Sequence, residues 1–454
     1  MVIRRLFILI ATLGLVASAC SSDGGDQAGG DDDTEVATES SSPESGDGDG
    51  DDGNEEERPT TSIGSQTGTT FIPALEGPFS TDGGATSGEN ADQVEINPDG
   101  GPPPQLVSLT WPTDWTRTTV DAGDLISGLG GSDPRDGIPP IDDPTFETVE
   151  SSAGWLADGE PGALVQLNGE ARFYPLSIMT RHEVVNDAFG DVPVSVTFCP
   201  LCNTAIAFDR RVDGEVLRFG VSGLLRNSDL VMWDDKTTSL WQQITGESIV
   251  GDFAGTQLEA IPTSIVSFGD FAAGFPEGKA LSPGQNRERY GVNPYAGYSS
   301  STRPFLFAGE PDDRFPALSR VVAVTLDDEV KAFPFEFLTD EPAVNDQIGD
   351  TPFVVLWGGG TQDALDQGRI VDSQVIGSGV AYLADLDGQE LTFAVSGDDS
   401  DLFVDDQTGS TWNILGQAVE GELAGQALTP APHRNEFWFA FAAFFPDAEV
   451  FSAS

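Results

Sequence analysis

The chain has few of the side chains that bind soft metals or carry redox chemistry: 454 residues hold three cysteines, three methionines and two histidines. So few cysteines rule out a disulfide-stapled scaffold. Basic residues are scarce as well, with 21 Lys and Arg against 75 Asp and Glu and a net charge of −54. A surface of that sign repels phosphate backbones and anionic headgroups, so nucleic acid is excluded as a partner. After residue 20 no apolar run is long enough to span a bilayer. Phosphate loops, dinucleotide fingerprints and zinc-protease motifs are missing. No serine stands in a recognisable order with an acid and a base.

The sequence begins with Arg4 and Arg5, then the run LFILIATLGLVASA, then Cys20. This is the pattern of an export signal, and the small residues before Cys20 read as a lipobox. The expectation is a lipoprotein signal over 1–20, with Cys20 lipidated and the protein anchored to the outer face of the cytoplasmic membrane. Without that lipidation it would be secreted. Residues 21–100 carry 21 acidic side chains and one basic one. Such a stretch cannot bury enough surface to offset its ordering entropy, so 21–104 is expected to be a disordered acidic tether.

Two stretches about 160 residues apart resemble each other: YPLSIMTRHEVVNDAFGDVPVSVTFCPLCNTAIAF and FPFEFLTDEPAVNDQIGDTPFVVLWGGGTQDAL. Pro175, Asn186, Asp187, Gly190, Asp191 and Pro193 recur as Pro334, Asn345, Asp346, Gly349, Asp350 and Pro352. Farther on, Trp241 and Ser239 recur as Trp412 and Ser410, which assigns them to the scaffold. The expected fold is mainly β with short helices (α+β), as two tandem pseudo-equivalent lobes from an internal duplication. Lobe 1 is placed at 105–280, a structured connection at 281–318 and lobe 2 at 319–454. Asn168-Gly169 between two β-prone runs predicts a hairpin. Pro175 is expected to open a helix that sets Met179 and His182 on one face. Alternation over Val192–Phe198 predicts a half-buried strand leading into Cys199.

What fails to recur is the chemistry. His182, Cys199 and Cys202 become Glu341, Gly358 and Thr361, and Met232 falls near Val404. Thiolate, imidazole and thioether are the donors that select copper or zinc over calcium and magnesium. The reading is therefore a soft-metal site of Cys199, Cys202, His182 and Met232, copper first and zinc second, for metal handling or electron transfer. A structural role for a Cys199–Cys202 bridge is a poor use of a disulfide, since closing so short a loop is worth only about 2 kcal/mol. Two alternatives stay open. One is thiol–disulfide exchange with Cys199 attacking and Cys202 resolving; the other is a noncatalytic surface module. Arg226 and Asn227 belong to the functional copy only, and Glu183 follows His182, so all three are further candidates.

Taken together, DPRDGIPPIDDPTF, ARFYPLSIMTRHEVVND, VTFCPLCNTAIAFDR, FGVSGLLRNSDLVMWDDKTTSLWQQITGESIVG and YGVNPYAGY resemble the domain-of-unknown-function 3179 family over roughly 130–450. That family consists of exported bacterial and archaeal proteins. The resemblance implies kinship and no reaction. This sequence carries the family's His-Glu, CPLC and Met positions at His182, Glu183, Cys199, Cys202 and Met232.

Overall fold

A computed structural model describes residues 83–452, apart from Leu109, Asn286, Asp328 and Asp398. The expected export signal, Cys20 and most of the expected acidic tether lie outside the described residues. The chain is mainly β, with helices of one or two turns.

The Asn168-Gly169 hairpin is present: both residues have positive φ, as a type I′ turn requires, and they join Pro161–Leu167 to Glu170–Pro175. These strands lie in a sheet ordered Thr263–Ser267, Pro161–Leu167, Glu170–Pro175, Lys279–Leu281, Phe146–Thr148. Only the contact of Lys279–Leu281 with Glu170–Pro175 is parallel. A second sheet has the order His433–Phe437, Arg320–Leu326, Glu329–Pro334, Glu449–Val450, and its last pairing is again parallel. The antiparallel trio Val184–Phe189, Val192–Cys199 and Thr204–Asp209 is matched by Ala343–Ile348, Thr351–Gly358 and Ser378–Leu383. The meander Phe219–Arg226, Asp229–Asp234, Leu240–Gln242, Ser248–Val250 is matched by Phe393–Ser396, Asp399–Asp405, Thr411–Asn413, Ala418–Glu420.

The recurring polar residues turn out to be brackets between sheets. Asn186 Nδ2 donates to Phe219 O (2.7 Å) and Phe219 N donates back to Asn186 Oδ1 (3.1 Å). Asn345 and Phe393 repeat the exchange at 2.8 Å in both directions. Asp234 accepts from Trp241 Nε1 (3.0 Å) and Thr237 N (2.6 Å), as Asp405 does from Trp412 (2.9 Å) and Thr408 (2.6 Å). Asn186→Ala would leave two buried backbone groups of Phe219 without partners. We expect it to destabilise the fold by about 2–3 kcal/mol in urea unfolding, with no change in whatever the protein binds.

The two halves share cores. Phe173, Phe268 and Phe271 pack with Val354, Leu356, Tyr382 and Trp412 of the second half. Phe437, Phe439 and Leu365 enter the core that holds Phe198, Cys199, Cys202 and Trp241. Consequently the site of the first half is walled in part by the second.

Three expectations need correction. The helix after Pro175 is a single turn, Leu176–Met179, because Glu183 takes a left-handed φ of 60° and the β-branched Val184-Val185 open a strand. His182 therefore lies beyond the helix, and no helical face is shared with Met179. The strand Val192–Cys199 is buried along its whole length, not on one face, since sheet neighbours and both halves cover it. Finally, the last part of the stretch expected to be tether is docked: Ala85 bridges Val212, Gly84 N donates to Glu259 Oε2 at 3.2 Å, and Glu95–Ile96 pairs with Arg117–Thr118.

Candidate metal centre

Cys199 ends its strand opposite Thr204, so Pro200, Leu201, Cys202 and Asn203 form the hairpin tip. Asn203 makes the reversal with φ 57°. The CxxC thus joins two strands, and no helix N-terminus stands behind the first thiol to acidify it. Tyr298 donates to Leu201 O (2.9 Å) and Phe437 N to Cys202 O (2.8 Å), fixing the tip from the connection and from the second half.

A second hairpin meets it. Gly223, with φ 76°, sits in a bulge between Val221 and Leu224, where a Cβ would come within 2.7 Å of Pro134. Beyond the bulge Asn227 and Ser228 have φ of 51° and 67° and turn the chain into Asp229–Asp234. This turn aims the Ser228 carbonyl at both thiols, 3.9 Å from Cys199 Sγ and 3.6 Å from Cys202 Sγ. The next residue, Asp229, completes the group: one ligand atom from each of Cys199, Cys202 and Asp229 lies within 4.8 Å of the others. All three residues are buried and both cysteines are free.

Asp229 Oδ2 accepts from Gln242 Nε2 (2.6 Å) and from Ile244 N (3.0 Å). Its Oδ1 is buried with no nitrogen or oxygen donor and is left to the thiols. Burial raises this carboxyl to about pH 6, against the hydrogen bonds that favour its charge. Burial also pushes the Cys199 thiol up, and pushes Cys202 well up, with Cys199 itself adding to the effect. Two more buried carboxyls bear on the pair, Glu183 toward Cys199 and Glu436 toward Cys202. Burial raises each to about 7. The ion pair that Glu436 makes is loose, with Arg434 Nη2 3.6 Å from Glu436 Oε1. The interior therefore suits a cation.

The residues expected from the sequence divide. Cys199 and Cys202 converge. His182 stands outside their group: Nδ1 donates to Pro139 O (2.7 Å), which leaves Nε2 to accept from the Tyr290 hydroxyl (3.0 Å). Both nitrogens are spent on tying the connection to the DGIPP segment. His182→Gln is accordingly expected to lower the melting temperature, while leaving metal stoichiometry, read by elemental analysis, unchanged. Met232 is fully buried in the core of the two cysteines, opposite Val221 and Trp241. Its counterpart is Phe403, which lies opposite Val395 and Trp412, and not Val404. Arg226 stands behind the site, its Nη1 3.5 Å from Gln242 Oε1 and its Nε 4.0 Å from Asp124. Asn227 serves the turn. Glu183 accepts from the Tyr295 hydroxyl at 3.1 Å. The connection YGVNPYAGY thus puts a tyrosine on each of three site segments, at His182, Glu183 and Leu201.

Sequence reasoning passed over Asp229, because the text SDL occurs in both halves. In the structure the register slips by one residue, so Asp229 corresponds to Ser400 and not Asp401. One acid among 75 gave no other signal.

Fold and site together define a mainly β protein whose buried centre pairs a two-cysteine hairpin with a carboxylate. The family described as "Protein of unknown function (DUF3179)" matches residues 135–448, and the chain belongs to it. No curated protein and no solved structure matches.

Proposed function

We propose that the protein binds one d-block metal ion through Cys199 Sγ, Cys202 Sγ and Asp229 Oδ1, with the Ser228 carbonyl beside the remaining position. The observation that carries this reading is the convergence of two free thiols on a buried carboxylate oxygen that has no nitrogen or oxygen donor. A tetrahedral ion with bonds of about 2.3 Å to sulfur and 2.0 Å to oxygen separates its ligand atoms by roughly 3.3–3.8 Å, compatible with the group's span. Two thiolates and a carboxylate form a borderline donor set, which favours zinc. Copper, expected from imidazole and thioether, ranks second because His182 is engaged elsewhere.

Thiol–disulfide exchange is the weaker reading. An attacking thiol needs access and a lowered pKa, whereas Cys199 is 1% exposed, Cys202 0%, and burial raises both. The matching order of strands and the repeated Asn and Asp brackets support an internal duplication whose second half lost the ligands and kept the walls. The signal-like start and the acidic stretch support an exported, lipid-anchored protein, and the acidic surface disfavours nucleic acid. A noncatalytic surface module remains the reading if no metal binds. The test is elemental analysis of purified protein with Co(II) exchange: thiolate-to-cobalt absorption in the near ultraviolet at one ion per chain is expected, and no such band after metal loading contradicts the site.

A further inference from the structure

Away from the thiols, the structure holds a cavity of about 390 Å³ against the one-turn helix Leu176–Met179, lined by Trp155, Glu160, Ser177, Arg287, Tyr290 and Arg369 among others. Its charged lining is Arg287 and Arg369 together with Glu160 and Glu288. Among the described residues, Arg181, Arg289 and Arg369 make no ion pair, although the chain carries 75 acidic side chains. Arg369 lines the cavity, and Arg181 and Arg289 both act on Tyr290 in its wall. Arg181 and Arg289 are also close enough to repel each other. Arg287 is held at the rim by Glu147 (3.4 Å) and over the Trp155 ring (5.9 Å to the centroid). Arg369, a lining cation without an ion pair in so acidic a body, is what an anion would neutralise.

The cavity also has a polar floor. Glu160 is 7% exposed, and its Oε1 is buried with no hydrogen-bond partner, while Ser177 hydrogen-bonds the same carboxyl. An unpartnered buried oxygen in the wall of this cleft calls for a ligand that brings a donor of its own.

We infer that this cavity binds a small organic oxyanion that also bears a hydroxyl or amino group, the anion meeting Arg287 and Arg369 and the donor reaching Glu160 Oε1. Trp155 and Tyr290 supply the apolar walls. The proposal does not depend on metal at the thiols. Through Tyr290, whose hydroxyl bonds His182, the ligand would touch the segment that leads to Glu183 and the metal centre.

The test is isothermal titration of the full chain at low ionic strength with L-malate, succinate and inorganic phosphate. Saturable malate binding is expected, weakened at least about tenfold in Arg369→Gln and in Arg287→Gln. Lys236→Gln, which removes an exposed cation elsewhere, should leave it unchanged. Glu160→Leu, which removes the acceptor, should abolish the preference for malate over succinate, the two differing by one hydroxyl. Absence of saturation with all three probes, or an equal loss in Lys236→Gln, would overturn the proposal. Should the Glu160 variant fail to fold, the arginine variants decide alone.

Discussion

Cys202→Ser is expected to lower bound metal from about one ion per chain to below about a tenth, and to weaken the apparent affinity at least about a hundredfold. A serine oxygen at this place remains protonated near neutrality and cannot replace a thiolate. Cys199→Ser should behave alike, since each sulfur supplies one bond. The apo fold should survive both changes, because the tip is held through backbone atoms: Leu201 O by Tyr298, Cys202 O by Phe437, and Cys199 by its register with Thr204. Elemental analysis beside a melting curve separates the outcomes. Loss of metal with a retained apo melting temperature fits a ligand. An unchanged metal content removes Cys202 from the site.

The second large effect concerns pH. Burial keeps both thiols protonated at neutrality, and a metal ion must displace both protons to bind as described. Above about pH 6 Asp229 is already ionised, so binding releases two protons and affinity should rise about a hundredfold per pH unit from 6.5 to 8. Below about 6 the carboxyl must also give up its proton, and the slope should steepen toward a thousandfold per unit. The sign is fixed: acid weakens binding, because every ligand that titrates binds metal only in its deprotonated form. Competition titrations against a chelator at several pH values measure this slope. A slope near zero would mean that neither sulfur binds as thiolate. Asp229→Asn should remove the steepening below 6 and leave the slope of two above it.

The scaffold was legible because its recurring residues each do one local task. Asn186 and Asn345 clip matching pairs of strands, and Trp241 and Trp412 reach matching aspartates, Asp234 and Asp405. Backbone geometry was legible where one residue type dictates it, as at Asn168-Gly169. The site was legible only in its cysteines. His182 drew attention as one of two imidazoles, but rarity says nothing of where a ring points, and Pro139 and Tyr290 take both its nitrogens. Asp229 was hidden because SDLVMWD in the first half is answered by SDLFVD, one residue shorter, so that counting back from the paired Trp241 and Trp412 sets Asp229 against Ser400; a one-residue offset in a strand exchanges the side chain's face. The contribution of Glu436 could not be read locally at all, because it comes from the other half of the chain, over 200 residues away from the thiols it faces.

X-ray absorption at the metal edge of the zinc-loaded chain tests the central claim most directly. The account predicts two sulfur neighbours at about 2.3 Å and one or two oxygens near 2.0 Å, without the outer-shell scattering of an imidazole ring. A first shell free of sulfur, or one carrying the imidazole signature, would contradict it.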